Sequence, residues 1–304
     1  MNEEALRLGA LEAGGTKMVM SILDGRGDML ERVSIPTRTP EETMPEMIAF
    51  FRERHIDALG VGCFGPLDLN PASPTCGSIT ATPKLAWRNY PLLPEFTRAL
   101  GVPARLDTDV NGAALAEATL GAARGLGSCL YVTIGTGIGG GLVMDGRPVH
   151  GLMHPELGHQ LLCPHPDDPA PDGFCPYHRH CLEGLAAGPT FDKRWGVSAR
   201  ELPDDHPAWA LEAFYLAQMC HNAIMSFSPE KIILGGGVMH KEFLLPMIRR
   251  ETLRLLGGYI SSPQVDAGLE DYIVSPGLGE NSGVMGAYLL ARQAYEEGGD
   301  RSWH

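Results

Sequence analysis

The sequence predicts an α/β fold built from two related halves. Two segments share one pattern, in which an apolar run, a glycine-rich turn and a second apolar run end at an Asp-Gly pair. The two turns lie about 120 residues apart. Around them, apolar strands alternate with segments of helical periodicity, which is typical of α/β proteins. The repeated pattern indicates an internal duplication whose halves face each other.

The first hairpin is expected over Leu6–Leu23, which reads LRLGALE, AGGTK and MVMSIL. The second run is short, lacks a helix cap and ends at Asp24-Gly25, which favours two strands. A glycine turn lets the backbone approach a phosphate and direct N–H groups at it. The spacing G-x-x-x-x-G-K of a P-loop is absent. The candidate phosphate-binding residues of this turn are Gly14, Gly15, Thr16 and Lys17.

The second hairpin is expected over Ser128–Val143, which reads SCLYVTI, GTGIGG and GLVM. Its turn contains Gly135, Thr136 and Gly137 and satisfies G-x-G-x-x-G. A dinucleotide fingerprint requires a helix directly afterwards. A short strand and an Asp-Gly turn follow instead, so a Rossmann unit is excluded. A third glycine signal is KIILGGGV at Lys231–Val238, a buried strand that runs into three glycines. For a single hairpin, a plain tight turn remains the alternative.

Helices are expected between these strands. The candidate segments are Glu41–Arg54, Ala113–Leu120, Trp209–Met225 and Glu280–Tyr295. The first has Pro40 near its first turn, a common position for proline. The proline-rich stretch Leu162–His180 is predicted to be an ordered excursion outside the core. The tail Glu296–His304 is expected to be frayed.

Asp109 lies where an apolar strand start, Leu106-Asp-Thr-Asp-Val-Asn111, leads into the helix AALAEATL. Side chains at such strand-to-helix junctions line the clefts of α/β sheets. A carboxylate there can accept a proton from a substrate hydroxyl. The alternative is helix N-capping, which Asn111 or Asp109 could perform.

The segment from His154 to Cys181 holds most of the chain's metal-capable side chains. Its start, HPELGH, is not a zinc-protease helix, because the histidines are five residues apart and Pro155 blocks a regular helix. A structural zinc site with two thiolates and two imidazoles is the better hypothesis, since Cys-x₂-His-x₂-Cys is close ligand spacing. The predicted ligands are His159, Cys175, His178 and Cys181. Cys163, His165 or His180 could replace one of them, and a loop without metal is the remaining alternative.

Composition and charge exclude several function classes. The net charge of −13 leaves no cationic excess for nucleic acid or anionic membranes. No apolar run approaches the roughly 18 residues of a membrane span. The N-terminus lacks the pattern of an export signal. Seven cysteines, an odd number, fit a reducing cytoplasm better than a disulfide framework. We expect Cys63, Cys129 and Cys220 in the core.

The glycine turns and their neighbours resemble a known family. The stretches LGALEAGGTK, TDVNGAALAE, VTIGTGIGGG, HPELGH, CPYHRHC with LEGLAAGP, and IILGGGVM are similar to successive motifs of the ROK sugar kinases. The resemblance spans nearly the whole chain in the family's order. Several details resemble the bacterial fructokinase branch: Glu12 in place of Asp, Thr108 before the candidate base, ITATPKLAW at Ile79–Trp87, and the Cys-His-Cys segment.

This resemblance implies the actin-like ATPase fold, a ribonuclease H-like duplicated α/β fold with two domains around a cleft. The small domain would comprise residues 1–116 and a C-terminal helix at 285–304. The large domain would comprise residues 117–284 and carry the zinc-binding loop.

The resemblance also implies residue roles. Asp109 would be the general base for the C6 hydroxyl of fructose. The sugar-binding residues would be Glu156, His159, Glu183, Thr108 and Gly65. Both glycine turns would face the phosphates of ATP, with Thr136 in contact with the nucleotide. The residues bordering adenosine would be Pro189, Gly235, Gly236, Gly237, Val238 and Met239. Mg²⁺ would accompany ATP, with Glu12 as its candidate carboxylate.

The function implied is ATP-dependent phosphorylation of D-fructose to fructose 6-phosphate, with ATP, Mg²⁺ and a structural Zn²⁺. We expect a cytoplasmic homodimer without nucleic-acid or membrane partners. Mannose, glucose or an N-acetylated hexosamine is the alternative substrate. A non-catalytic, sugar-sensing regulator is the alternative class; repressors of the family carry a DNA-binding segment before the first motif, for which the residues before Glu12 leave no room. Lys84 and Trp87 could contact sugar, or be a surface lysine and a core tryptophan.

Overall fold

The computed structural model describes residues 3–298. Within this range the chain forms two compact units. The first unit comprises residues 3–116, 148–154 and 281–298, and the second comprises residues 117–147 and 155–280. Residues 299–304, which end the predicted C-terminal helix and tail, lie outside the described residues. The helices of residues 3–298 include none that is both long and apolar enough to cross a bilayer.

Twelve strands and nine α-helices are present in the described residues. The strands are β1 (Leu8–Ala13), β2 (Lys17–Leu23), β3 (Met29–Pro36), β4 (Ala58–Cys63), β5 (Leu67–Asp68), β6 (Ser78–Ile79), β7 (Ala104–Thr108), β8 (Ser128–Ile134), β9 (Ile138–Met144), β10 (Arg147–Pro148), β11 (Ile232–Gly235) and β12 (Ile273–Val274). The helices are α1 (Pro40–Glu53), α2 (Leu92–Leu100), α3 (Asp109–Thr119), α4 (Leu182–Ala186), α5 (Pro189–Trp195), α6 (Ala208–Phe227), α7 (Leu244–Leu256), α8 (Pro263–Asp266) and α9 (Ser282–Glu296).

Each unit is built on a five-stranded sheet of the same topology. The strand orders are β3-β2-β1-β4-β7 and β10-β9-β8-β11-β12. In the first sheet β1 pairs antiparallel with β2 and parallel with β4, and β4 pairs parallel with β7. In the second, β8 pairs antiparallel with β9 and parallel with β11, and β11 pairs parallel with β12. The predicted duplicated α/β fold, including both glycine hairpins, is therefore confirmed.

Strands β1 and β4 of the first sheet are buried on both faces, which explains why they are almost continuously apolar. One face packs against α1 and α2 through side chains that include Phe51 and Phe96. The other face packs against α9 through Val284 and Tyr288. The central strands thus have both faces covered, and their ends are left to form loops that can carry chemistry.

Most predicted helices agree with the structure, and one begins earlier than predicted. Helices α1, α6 and α9 lie within two residues of the expected bounds. Helix α3 begins at Asp109 rather than Ala113. The hydroxyl oxygen of Thr108 accepts a hydrogen bond from the amide of Asn111 at 3.0 Å, which is N-capping geometry. The capping alternative, which assigned this role to Asn111 or Asp109, is therefore wrong.

The predicted proline-rich excursion is present in the second unit. Leu161 and Cys181 form an isolated antiparallel bridge at its base. Between them the described chain forms only turns and bends. Asp168 is nevertheless buried within it. The sequence pattern did not predict that a charged residue of this loop would reach the interior.

Candidate active site and metal centre

The turn of the first hairpin is held by backbone bonds and by the end of β3. The amide of Gly14 donates to the carbonyl oxygen of Lys17 at 3.0 Å. The amide of Thr37 donates to the carbonyl of Thr16 at 3.0 Å, and its hydroxyl donates to the carbonyl of Gly14 at 2.7 Å. The side chains of Thr16 and Lys17 are exposed. A rigid turn with an exposed hydroxyl and cation suits a phosphate.

Asp109 stands at the junction of β7 and α3, as the sequence predicts. Its Oδ1 accepts the amide of Val110 at 2.9 Å. Burial raises the pKa of Asp109 to about 6. A carboxylate with this pKa is deprotonated at neutral pH, yet is more basic than an ordinary aspartate. These are the properties that a general base for a hydroxyl needs.

Glu12 lies near the end of β1 and is partly exposed. Burial of its carboxyl and, second, the negative charge of Asp109 raise its pKa, while Lys17 and Arg32 oppose the shift. The two carboxylates therefore interact at the same end of the first sheet. Two acidic groups beside a cationic turn can hold a metal–phosphate complex, which is the role predicted for Glu12.

The turn at Gly65 is fixed by a buried histidine of the same unit. The ring Nε2 of His154 accepts a hydrogen bond from the amide of Leu67 at 2.9 Å. His154 is buried, and an accepting ring nitrogen carries no proton, so this tautomer has its proton on Nδ1. Thr80 donates its amide to the carbonyl of Pro66 at 2.8 Å on the other side of the turn. Sequence reasoning missed this role, because the contact joins residues 87 positions apart.

A second contact that the sequence did not predict holds the end of β7, the strand that precedes Asp109. Asp107 is buried, and Nε2 of His150 lies 3.0 Å from its carboxylate. The side-chain amide of Asn111 donates to the same carboxylate at 2.8 Å. The hydrogen bond from His150 to Asp107 raises the pKa of the imidazole. The end of β7 is thus held by two side chains, those of His150 and Asn111, around one carboxylate.

In the second unit the three predicted nucleotide-binding segments converge. The amide of Gly135 donates to the carbonyl of Gly137 at 2.9 Å, and the amide of Gly188 donates to the carbonyl of Gly135 at 2.8 Å. Pro189 follows as the first residue of α5. Gly236 has φ +90°, and a Cβ there would lie 2.5 Å from the carbonyl oxygen of Ile134. Only glycine permits this approach of β11 to the end of β8.

The residues after β11 differ in exposure. Gly235 is buried and Gly236 partly so, whereas Gly237 is exposed. Val238 and Met239 are buried in a short 3₁₀ helix, Gly237–His240. Thr136, at the tip of the second hairpin, is exposed. Backbone and one hydroxyl are therefore accessible here, with apolar side chains beneath them.

Glu183 joins the second hairpin to the metal-capable cluster. Its Oε2 accepts the amide of Ile138, the first residue of β9, at 3.0 Å. Its Oε1 lies 4.0 Å from Nε2 of His159. Glu156, the other predicted sugar carboxylate, is exposed at the start of the short 3₁₀ helix Leu157–His159. The structure therefore brings Glu183 and His159 together, with Glu156 three residues before His159.

The four predicted zinc ligands lie together in the second unit. Their donor atoms, on His159, Cys175, His178 and Cys181, are all within 4.8 Å of one another. Nδ1 of His159 is 3.9 Å from Sγ of Cys175 and 3.8 Å from Sγ of Cys181. In a tetrahedral zinc site, Zn–S and Zn–N bonds of about 2.3 and 2.0 Å separate sulfur and nitrogen by about 3.6 Å. The donors and their spacing fit a zinc ion.

The three competing ligands have other neighbours. The backbone of Cys163 exchanges two hydrogen bonds with the side chain of Gln218. The ring of His165 packs edge-on against Phe214, with centroids 4.8 Å apart. Nδ1 of His180 lies 2.8 Å from the carbonyl oxygen of Pro171. None of the three belongs to the cluster that the described residues form.

A buried ion pair fastens the loop that contains Asp168 to helix α5. The guanidinium of Arg194 donates to Asp168 at 2.9 Å, and both side chains are almost fully buried. The hydroxyl of Tyr215 donates to the second oxygen of Asp168 at 2.6 Å. Asp168 also accepts the amide of Ala170 within the loop. The loop therefore has an anchor in addition to its metal-capable residues.

Comparisons with known proteins identify the family of this chain. The model of the ROK family matches residues 8–294. The chain is 44% identical to a putative fructokinase of Bacillus subtilis, over 95% of this chain and 96% of that protein. It is also 44% identical to a fructokinase of Zymomonas mobilis, over 94% and 96% of the two chains.

A solved structure gives the same fold. A ROK family glucokinase from Streptomyces griseus, in complex with glucose and AMPPNP, superposes with a TM-score of 0.74. It is 25% identical, and the match covers 94% of this chain and 99% of that one. The predicted actin-like ATPase fold is thereby confirmed. The chain belongs to the ROK family, as its motifs predicted.

Proposed function

We propose that the protein is an ATP-dependent fructokinase that forms fructose 6-phosphate. The observation that carries the proposal is Asp109, a carboxylate with a raised pKa at the β7–α3 junction, in a chain 44% identical to fructokinases over nearly its whole length. Identity to the S. griseus glucokinase is only 25%. This contrast favours fructose over glucose as the substrate.

In the proposed reaction Asp109 accepts the proton of the C6 hydroxyl of fructose while the hydroxyl oxygen forms a bond to the γ-phosphorus of ATP. The bond between that phosphorus and the β–γ bridging oxygen breaks, and ADP leaves. Catalysis of this kind rests mainly on positioning and on neutralising charge. A positioned base contributes about 10²–10⁴-fold. Thr108, the last residue of β7, and Gly65, which follows the neighbouring strand β4, would contact the sugar.

The nucleotide would be held by the glycine turns. Gly14, Gly15, Thr16 and Lys17 would face phosphate in the first unit, and Gly135, Thr136 and Gly137 in the second. Pro189 and residues 235–239 would border the adenosine. AMPPNP, the nucleotide named for the S. griseus relative, is an ATP analogue, which supports ATP as donor. Mg²⁺ bound to the nucleotide would offset phosphate charge. Glu12 is the carboxylate that we propose to interact with this Mg²⁺.

We further propose a structural zinc ion on His159, Cys175, His178 and Cys181. A metal-bound histidine usually directs its other ring nitrogen at a carboxylate, and Nε2 of His159 faces Glu183. With Nδ1 on zinc, the ring would fix Glu183 for a sugar hydroxyl. Glu156 would bind the sugar from the adjacent 3₁₀ helix. The zinc would thus shape the sugar site without taking part in phosphoryl transfer.

The remaining parts of the proposal concern the protein's setting. None of the seven cysteines forms a disulfide in the described residues, as expected for a reducing compartment such as the cytoplasm. A homodimer is the proposed assembly. Light scattering of the purified protein gives the mass directly, and a monomer at micromolar concentration would contradict the dimer.

The decisive experiment is a coupled ADP-release assay with fructose, mannose, glucose and N-acetylmannosamine, with zinc measured on the same sample. We expect the largest kcat/KM for fructose and about one zinc per chain. A larger kcat/KM for another hexose would identify that hexose, instead of fructose, as the substrate. Sugar binding without any turnover would favour a sensing role instead of an enzyme.

A further inference from the structure

Lys84 lies across the glycine turn of the first hairpin. Its Cε is 2.9 Å, and its ammonium nitrogen 3.8 Å, from the position that a Cβ on Gly15 would occupy. The side chain therefore covers the face of the turn at which Gly15 has no side chain. Any larger residue at position 15 would displace Lys84.

The backbone at Lys84 is fixed by the core of the first unit. The amide of Trp87 donates to the carbonyl of Lys84 at 2.8 Å. Trp87 is 1% exposed, and its indole N–H donates to the carbonyl of Arg38 at 2.7 Å. Its ring packs edge-on against Phe64 and Tyr90. Trp87 is thus the core residue of TPKLAW, and its amide holds the backbone of Lys84.

The charge of Lys84 is not used elsewhere in the described structure. Within residues 3–298 its ammonium makes no hydrogen bond or ion pair, although the residue is partly buried. In the same range the amides of Gly15 and Thr16 donate to no acceptor. Lys17, whose charge already acts on Glu12, lies in the same turn. Two cations and two amide donors at one turn form a receptor for an anion with several oxygens.

We infer that Lys84 binds the terminal phosphate of the nucleotide at the Gly14–Lys17 turn and neutralises its charge during transfer. The inference rests on the proposed kinase function and adds a residue to it. The sugar role considered for Lys84 is replaced by a phosphate role. Gly15 permits this position of Lys84, because its lack of a side chain leaves room for the lysine stem.

The test uses Lys84→Met, which keeps the stem length and removes the charge, and Lys84→Arg, which keeps the charge. Lys231→Met is the matched control, since Lys231 is a partly buried lysine at the opposite end of β11 from the glycines. Binding of Mg-AMPPNP is measured by calorimetry, and steady-state kinetics are measured with ATP and fructose. Circular dichroism and thermal midpoints check the fold of each variant.

We expect Lys84→Met to weaken Mg-AMPPNP about 10- to 100-fold, as for the loss of a charged hydrogen bond. Its kcat/KM for ATP should fall at least as much, with the KM for fructose within about twofold of the parent value. Lys84→Arg should recover most of the loss, and Lys231→Met should change neither quantity. Gly15→Ala should weaken nucleotide binding in the parent but add little in Lys84→Met, because the two residues act together.

Unchanged nucleotide binding in folded Lys84→Met would overturn the inference, as would a defect confined to the KM for fructose. The failure of the proposed function would look different. In that case the parent protein would phosphorylate none of the sugars. The calorimetric comparison of Lys84→Met with Lys231→Met would still test whether Lys84 binds the phosphate of the nucleotide.

Discussion

The turns at Gly14–Lys17 and Gly135–Gly137 occupy equivalent places in two sheets of identical topology, yet their surroundings differ. The first turn is flanked by Lys17 and Lys84, and the carboxylates Glu12 and Asp109 lie at the same end of its sheet. The second has no cation of its own; Glu183 accepts the first amide of the strand that follows it. The two sheets therefore share a backbone topology, but the charged side chains around their glycine turns differ.

The difference indicates what each unit contributes. The first unit carries the candidate base and the cationic turn. The second carries the cluster of two cysteines and two histidines, and a buried ion pair that fastens its loop. We expect substitutions in the first to alter turnover with little change in stability, and substitutions in the second to act mainly through stability and metal content.

Asp109→Asn tests the chemical side of this comparison and should have the largest effect. Removal of a positioned base should lower kcat by about 10²–10⁴-fold. The variant should bind fructose and melt near the parent temperature, because asparagine can still accept the amide of Val110. Coupled-assay kinetics, calorimetric sugar binding and a melting curve measure the three quantities. Turnover within about twofold of the parent would remove Asp109 as the base.

Arg194→Met tests the structural side. Breaking a buried ion pair leaves Asp168 charged and without its partner, which should cost about 3–5 kcal/mol of unfolding free energy. Asp204→Ala is the control, because it removes the more exposed pair between Lys241 and Asp204 and should cost less than about 1 kcal/mol. Equal denaturant midpoints for the two variants would show that the loop anchor is not a stabilising contact.

Cys175→Ser asks whether the second unit depends on a metal. Zinc content should fall from about one per chain to nearly none, and the unfolding free energy by at least about 1 kcal/mol. Cys163→Ser is the control, since that exposed thiol lies outside the cluster and should leave zinc in place. The reverse outcome, zinc lost with Cys163 and kept without Cys175, would reassign the ligands.

The pH dependence of turnover tests the raised pKa in the first unit. The base must be deprotonated, so kcat/KM for fructose should be constant above pH 7 and fall about tenfold per pH unit below a pKa of about 6. An ordinary aspartate, with a pKa near 3.9, would keep activity down to about pH 5. Melting curves at each pH separate this loss from unfolding. Full activity at pH 5 would contradict burial of the base.

Local sequence patterns predicted much of this protein. The hairpins over Leu8–Leu23 and Ser128–Met144 follow from apolar runs broken by glycine and ended by Asp-Gly. The junction at Asp109 and the close spacing of Cys175, His178 and Cys181 also lie within short segments. Such features depend on backbone geometry and on neighbouring residues, and both are determined by consecutive positions in the sequence.

Only the tertiary structure decided which distant residues act on these segments. Lys84 covers Gly15, His154 holds Leu67, Arg194 pairs with Asp168, and Glu183 accepts the amide of Ile138. From the sequence alone a lysine, histidine or arginine is expected to be solvated, because its partner is determined by packing between elements remote in sequence. The sequence alone determined the strands, the turns and the types of chemistry they can hold; folding determined which charges meet them.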